Sequence, residues 1–269
     1  MNEQRNLVPT ASDGPTVQLH RDGMLAVVTL INTGKLNAMN RAMWCELREV
    51  FLMLHGMSDL RCVVVRGADG NFCAGGDIAE YPSFRFDVAA LTHFHEVEVW
   101  GGLSAMLDCD IPLVCAIEGV CMGAGLEIAS CCDLRLAGAN TRFGAPIARL
   151  GFPMAPREAQ LVAGAVGHTV ARAILLAAAT YSADEMLRCG FLTRTTGAGD
   201  AFSAGLEVAG RIADLAPLSA RLNKQTLRSL STLRAHQEAR EVGNAYNYAT
   251  QSEHIEGIGA FLDKRKPQF

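Results

Sequence analysis

Two glycine-rich strings hold the residues best suited to chemistry: Phe72-Cys73-Ala74-Gly75-Gly76-Asp77-Ile78, and Glu118-Gly119-Val120-Cys121-Met122-Gly123-Ala124-Gly125-Leu126-Glu127. Each follows a short apolar run and precedes a stretch of helical character. A small residue at a strand-to-helix turn leaves its backbone N–H without a partner, and the helix start adds partial positive charge beside it. Two such turns placed together would aim two N–H groups at one carbonyl oxygen, which is an oxyanion hole. Glu127 falls one helical turn after Ala124, within reach of a carbonyl compound held there. In a partly apolar pocket its pKa would rise toward neutrality, as acid–base work requires. A carboxylate in a first helical turn can also do no more than complement the helix dipole.

The elements that must position these turns follow from the hydrophobic pattern. Segments 17–20 and 24–31 read as a hairpin around Asp22-Gly23, a favoured turn pair. Segment 41–57 has helical spacing, with Met43, Leu47, Val50, Phe51 and Leu54 on one face. Strands are predicted over 61–66, 113–117 and 134–137, and at Gly190-Phe191-Leu192. Helices are predicted from about 88 to 107 and from the second turn to Ser130. Beyond 159 the pattern is almost wholly helical: 159–165, 169–178, 182–189, 201–214, 217–230, 233–250 and 253–263. Alternating strands and helices imply βαβ units and a mostly parallel sheet.

A chain of 269 residues, 49% hydrophobic and 19% charged, can bury a substantial core. The apolar runs are too short to span a bilayer. Residues 1–15 lack the charged-then-apolar pattern of a secretory signal and read as a disordered leader. The nine cysteines have no zinc-ligand spacing; Cys131 and Cys132 are adjacent, and Cys62, Cys115 and Cys121 lie in or beside predicted core strands, which points to reduced thiols in a cytoplasmic protein. A net charge of −4, with no basic stripe, argues against nucleic acid as a partner.

Four ordered landmarks give the chain a family resemblance: Lys35-Leu36-Asn37-Ala38-Met39, Ala74-Gly75-Gly76-Asp77, the stretch from Gly119 to Asp133, and Glu256-Gly257-Ile258-Gly259-Ala260-Phe261-Leu262-Asp263-Lys264-Arg265. Over roughly residues 15–269 the sequence resembles the enoyl-CoA hydratase/isomerase, or crotonase, superfamily. The resemblance implies an α/β fold, a ClpP-like spiral of β-β-α turns over 16–200, with a helical C-terminal trimerisation region over 201–269. It implies an acyl-CoA substrate, no metal, no organic cofactor beyond the coenzyme A of the substrate, and a homotrimer or a dimer of trimers. It assigns the oxyanion-hole N–H groups to Ala74 and Ala124, and acid–base catalysis to Glu127. It assigns CoA and substrate contacts to Lys35, Leu36, Ala38, Gly75, Gly76, Asp77, Ile78, Gly123, Ile147, Phe261 and Lys264. Asp77 also suits a helix cap.

The chain departs from the hydratase pattern at one position. Hydratases carry a second glutamate in a Pro-Glu pair about twenty residues downstream of the first. Here Pro146 is followed by Ile147, which cannot move a proton. The segment 148–158 that follows suggests a stiffer, reshaped pocket wall. Substitutes to consider are Glu158, Arg149, His93, His95, Glu96 and Glu98. Double-bond isomerisation, slow hydration, retro-aldol cleavage and thioester hydrolysis all stay open, as does a catalytically weak acyl-CoA binding protein. One string competes: Gly197-Ala198-Gly199-Asp200 resembles the ribokinase-type signature, in which glycines form an anion hole and the aspartate deprotonates a hydroxyl. None of that family's other segments accompanies it. The alternative reading is a loop with Asp200 capping the next helix.

Overall fold

In the computed structural model the β-branched runs become strands of one sheet. The structure describes residues 14–230, 252, 256, 263–265 and 268. Strands β1 (Thr16–Asp22) and β2 (Leu25–Ile31) form the expected hairpin, Asp22 pairing with Leu25. Helix α1 (Arg41–His55) starts at Asn40, whose side chain accepts from the Met43 N–H, and it buries the expected face with Trp44 added. Strand β3 (Cys62–Gly67) leads through the first glycine turn to a 3₁₀ turn at Ile78–Ser83. The long helix expected over 88–107 is α2 (Val88–His93) and α3 (Trp100–Asp108), joined by a π-helical segment, Phe94–Val99.

Two β-β-α turns of the spiral follow. The first is β4 (Leu113–Ile117), β5 (Val120–Met122) and α4 (Ala124–Ser130). The second is β6 (Leu134–Gly138), β7 (Arg142–Gly144), a 3₁₀ segment at Pro146–Leu150, and α5 (Pro156–Val166). Then come α6 (His168–Ala177), β8 (Thr180–Ser182), α7 (Ala183–Arg188), β9 (Arg194–Thr196), α8 (Ala201–Ala213) and α9 (Pro217–Ser229). The main sheet runs β1-β2-β3-β4-β6-β9, parallel except for the first pair, and β5-β7-β8 form a smaller sheet.

The main sheet is apolar on both faces because both are covered. Val63, Val65, Cys115 and Ile117 join Leu47, Phe51 and Leu103 in the larger core. Val64, Val114, Ala116 and Leu136 pack on Ala201 and Ala209 of α8. Burying each such aliphatic side chain contributes about 1.5–3 kcal/mol. Helix α8 thus completes the core on the second face. Helix α9 is fastened too, with Lys224 Nζ on the Ile111 carbonyl at 2.9 Å and Arg228 on Asp110 at 2.7 Å.

Two expectations need correction. Phe191 is a buried side chain in a bend, and the strand comes later, at 194–196, where β6 supplies hydrogen bonds. The three-residue strands β5, β7 and β8 are too short for a period-2 pattern to show. Asp200 precedes α8 but makes no side-chain cap; the Glu118 carboxylate accepts from the Ala201 N–H at 2.8 Å instead. That carboxylate occupies the end of the Gly197–Asp200 turn where a kinase anion hole would need free donors. The expected helices at 233–250 and 253–263 and the leader up to residue 13 lie outside the described residues.

Candidate active site

The two glycine turns are laced together by their backbones. The Cys73 N–H donates to Val120 O at 2.9 Å, and the Met122 N–H donates to Cys73 O at 2.9 Å. Close approach depends on Gly125, where a Cβ would lie 2.5 Å from Cys73 O. Gly123 turns the chain into α4 with φ 48°, a conformation that suits glycine.

One of the two expected donors is engaged within the turn itself. Ala74, expected to donate to the oxyanion, gives its N–H to Leu36 O at 3.0 Å. Leu36 and Asn37 both take positive φ (49° and 59°), which turns the Leu36 carbonyl toward Ala74. The Asn37 side chain pins that turn by donating to Ala68 O and Asn71 O, each at 2.8 Å, and accepting from the Asn32 N–H at 3.1 Å. Met39 then takes Gly75 O and receives the Asp77 N–H, both at 2.8 Å. Among the described residues, the Gly75 and Gly76 N–H groups are left without acceptors. In the second turn Gly123 donates to Gly144 O, and Ala124, the first residue of α4, has no acceptor for its N–H among the described residues.

These turns form one wall of a cavity of about 200 Å³. It gathers Ala74, Gly75, Gly76, Ile78, Gly123, Ala124, Glu127 and Ile147 of the expected site. The opposite wall is Phe94, His95 and Val99 from the π-helical segment, with Leu150, Phe152, Pro153 and Met154 after Ile147. Glu127 opens only partly to solvent. Burial, and then the nearby charge of Glu158, push its carboxyl up to about 8, so it is mostly protonated at neutral pH. Ile147 lies in the wall and offers no second proton carrier. Glu158 is only 2% exposed and shares a hydrogen bond with His95 Nδ1 at 3.0 Å. Tyr81 and Arg85 also line the cavity; the Arg85 guanidinium stacks on Tyr81 and on Phe152, 4.6 and 3.8 Å from the ring centroids.

The remaining expected residues that the structure describes do not line the cavity. Lys35 Nζ pairs with Asp77 at 2.6 Å, and Asp77 caps the 3₁₀ turn through the Ala79 N–H. Leu36 is exposed, Ala38 is buried and Lys264 is exposed. Phe261 is outside the described residues. Several weighed substitutes have structural partners: Glu96 with Arg157 at 3.1 Å, Glu98 with Arg41 and with His93 at 3.6 Å, and Arg149 on Ala178 O at 3.4 Å. Tyr81 and Arg85 were not foreseen, and Phe152 only as part of the segment 148–158. They come from irregular segments with no periodicity to reveal which way each side chain faces. Among the described residues, no three His, Cys, Asp or Glu side chains group as metal ligands, and no helix is long and apolar enough to cross a membrane.

Paired strand-to-helix turns over a buried carboxyl, in a spiral of β-β-α turns, define a crotonase-fold protein. The model of the enoyl-CoA hydratase/isomerase family matches residues 20–269, and the chain belongs to that family. It is 28% identical to the short-chain-enoyl-CoA hydratase of Clostridium acetobutylicum, over 93% of this chain and 95% of that one. It is also 28% identical to the 2,3-dehydroadipyl-CoA hydratase of Escherichia coli, over 93% and 96%. A crystal structure of an enoyl-CoA hydratase/carnithine racemase from Magnetospirillum magneticum superposes with a TM-score of 0.89 at 33% identity, each chain covered to 94%.

Proposed function

We propose that this protein is an acyl-CoA enzyme of the hydratase/isomerase type. The thioester carbonyl sits between the N–H groups of Gly76 and Ala124, and Glu127 moves a proton at the carbon beside it. The observation that carries this reading is the free N–H at the start of α4, one helical turn from a carboxyl raised to about 8. Polarising the carbonyl acidifies the α-carbon, and the two donors hold the charge that gathers on oxygen as the enolate forms. A protonated Glu127 is then poised to deliver its proton to that carbon, and an ionised one to remove it. The flanking apolar wall excludes water from the acyl chain.

The reading requires no metal and no organic cofactor beyond the coenzyme A of the substrate. Lys35, Leu36 and Ala38, and Phe261 and Lys264 from the C-terminal segment, remain the proposed CoA contacts. The proposed assembly is a homotrimer or dimer of trimers in the cytoplasm. Ile147 favours a second reading, a binding protein that retains acyl-CoA with little turnover. The two are separated with crotonyl-CoA and a panel of enoyl-, aromatic and hydroxyacyl-CoA esters, following product mass, exchange of α-protons in D2O and thermal shift. The enzyme exchanges or turns over an ester, and Glu127→Gln lowers that rate about 10²–10⁴-fold with the thermal shift intact. Stabilisation with background exchange, unaltered in the variant, would establish the binding protein.

A further inference from the structure

We propose that His95 is a second catalytic residue, the base that activates water, held by Glu158 in place of the carboxylate missing at Ile147. This rests on the acyl-CoA reading above and names the reaction of that site as hydration of an enoyl thioester. Three independent features converge on it. His95 lines the same cavity as Glu127 and Ile147. Its Nδ1 is 3.0 Å from Oε1 of Glu158, a carboxylate brought from sixty-three residues away and almost wholly buried. It also sits in the π-helical segment, Phe94–Val99, that interrupts an otherwise continuous helix; such a segment re-phases the side chains around it and recurs at functional sites.

The hydrogen bond determines what the imidazole can do. A carboxylate accepts only, so Nδ1 carries the hydrogen and Nε2 keeps its lone pair as the available base. Glu158 is therefore a positioning residue: it selects the tautomer and stabilises the cation that forms when Nε2 takes a proton. The same carboxylate opposes ionisation of Glu127, so one buried charge favours a base at His95 and an acid at Glu127. In the step itself, Nε2 removes a proton from water while the water oxygen bonds to the β-carbon. The double-bond electrons pass through the α-carbon to the thioester oxygen between the two N–H groups. As they return, the α-carbon takes the Glu127 proton. The product is the 3-hydroxyacyl thioester; His95 loses its proton to solvent and Glu127 regains one.

Groups that bear on His95 come from four elements: Glu127 of α4, Glu158 of α5, Tyr81 and Arg85 of the 3₁₀ turn and its exit, and the Glu96–Arg157 pair outside. Aromatic contact with Phe94 at 5.1 Å also orients the ring.

The test uses the full chain with crotonyl-CoA, measuring hydration, α-proton exchange in D2O and CoA-ester thermal shift for the parent, His95→Gln and Glu158→Gln. His95→Gln is expected to lower hydration at least 100-fold, far more than it lowers exchange, with the thermal shift retained and partial rescue of a His95→Ala variant by added imidazole. Glu158→Gln keeps the shape but no longer fixes the tautomer, and it should lower kcat for hydration about tenfold or more with KM, exchange and the thermal shift retained. A merely structural role would lower exchange and the thermal shift along with hydration. Hydration within twofold of the parent in His95→Gln or in Glu158→Gln overturns the proposal while exchange in the parent still upholds the acyl-CoA reading. Absence of both exchange and thermal shift in the parent overturns the two together.

Discussion

The cavity has two walls built by different means. One is backbone: the turns at 73–77 and 122–125, tied by β-type hydrogen bonds and pressed together through Gly125. The other is side chain: Phe94, His95 and Val99 facing Leu150, Phe152 and Met154. A backbone wall fixes where a thioester oxygen is held, whatever the acyl group. A side-chain wall decides which acyl group and which proton carriers meet it. The first differs from the expected donors at Ala74, whose N–H is taken, and the second carries Ile147 where the resemblance implies a glutamate.

Breaking the backbone wall should have the largest effect. Gly125→Val would drive a branched side chain into Cys73 O, which is backbone and part of the lacing. Destabilisation beyond about 4 kcal/mol is expected, read as loss of the cooperative transition in chemical denaturation. Asn37→Ala comes next. It strands the Asn71 carbonyl and the Asn32 N–H and leaves Ala68 O with only the Asn71 N–H, at a cost of about 3 kcal/mol. It also unpins the Leu36 carbonyl from Ala74, so a loss of acyl-CoA turnover should accompany the lower denaturation midpoint. An unchanged midpoint would show that the turn stands without its asparagine.

This contrast also explains what the sequence could and could not reveal. Glycine spacing reports backbone geometry locally, so both turns, the sheet strands of five or more residues and Glu127 were legible from the chain alone. The engagement of the Ala74 N–H was not: its acceptor is the Leu36 carbonyl, thirty-eight residues earlier. The helix at 88–108 was legible as helix, but its π-helical turn was not, because nothing in the pattern of Phe94–Val99 marks a change of phase. The pairing of His95 with Glu158 joins α5 to that turn across sixty-three residues and has no local signal.

The buried carboxyl beside the backbone wall offers a further test. Glu127 has its carboxyl raised from 4.5 to about 8, so the fold favours its protonated form. Its contribution to stability is complete below about pH 4.5 and is lost as pH rises toward 8. Glu127→Gln is neutral throughout and should escape that loss. The variant is expected to match the parent in melting temperature near pH 4.5 and to exceed it by roughly 5 °C at pH 9. Parallel melting curves across that range would mean that water reaches the carboxyl freely.

The smallest effect belongs to the outer edge of the side-chain wall. Arg85 lies between Tyr81 and Phe152 and has no acidic partner among the described residues, so the two rings alone hold its guanidinium. Burial lowers its pKa from the usual arginine value, which marks a cation partly stripped of water. Stacking of this kind is worth about 0.5–1 kcal/mol at exposed sites, so Arg85→Gln should lower the melting temperature by only about 2–4 °C. Its effect on substrates should be selective: esters whose acyl chain ends in a carboxylate lose more affinity than neutral ones of equal length. Equal losses for both would place the arginine outside the reach of the acyl end and leave it a brace for Phe152 alone.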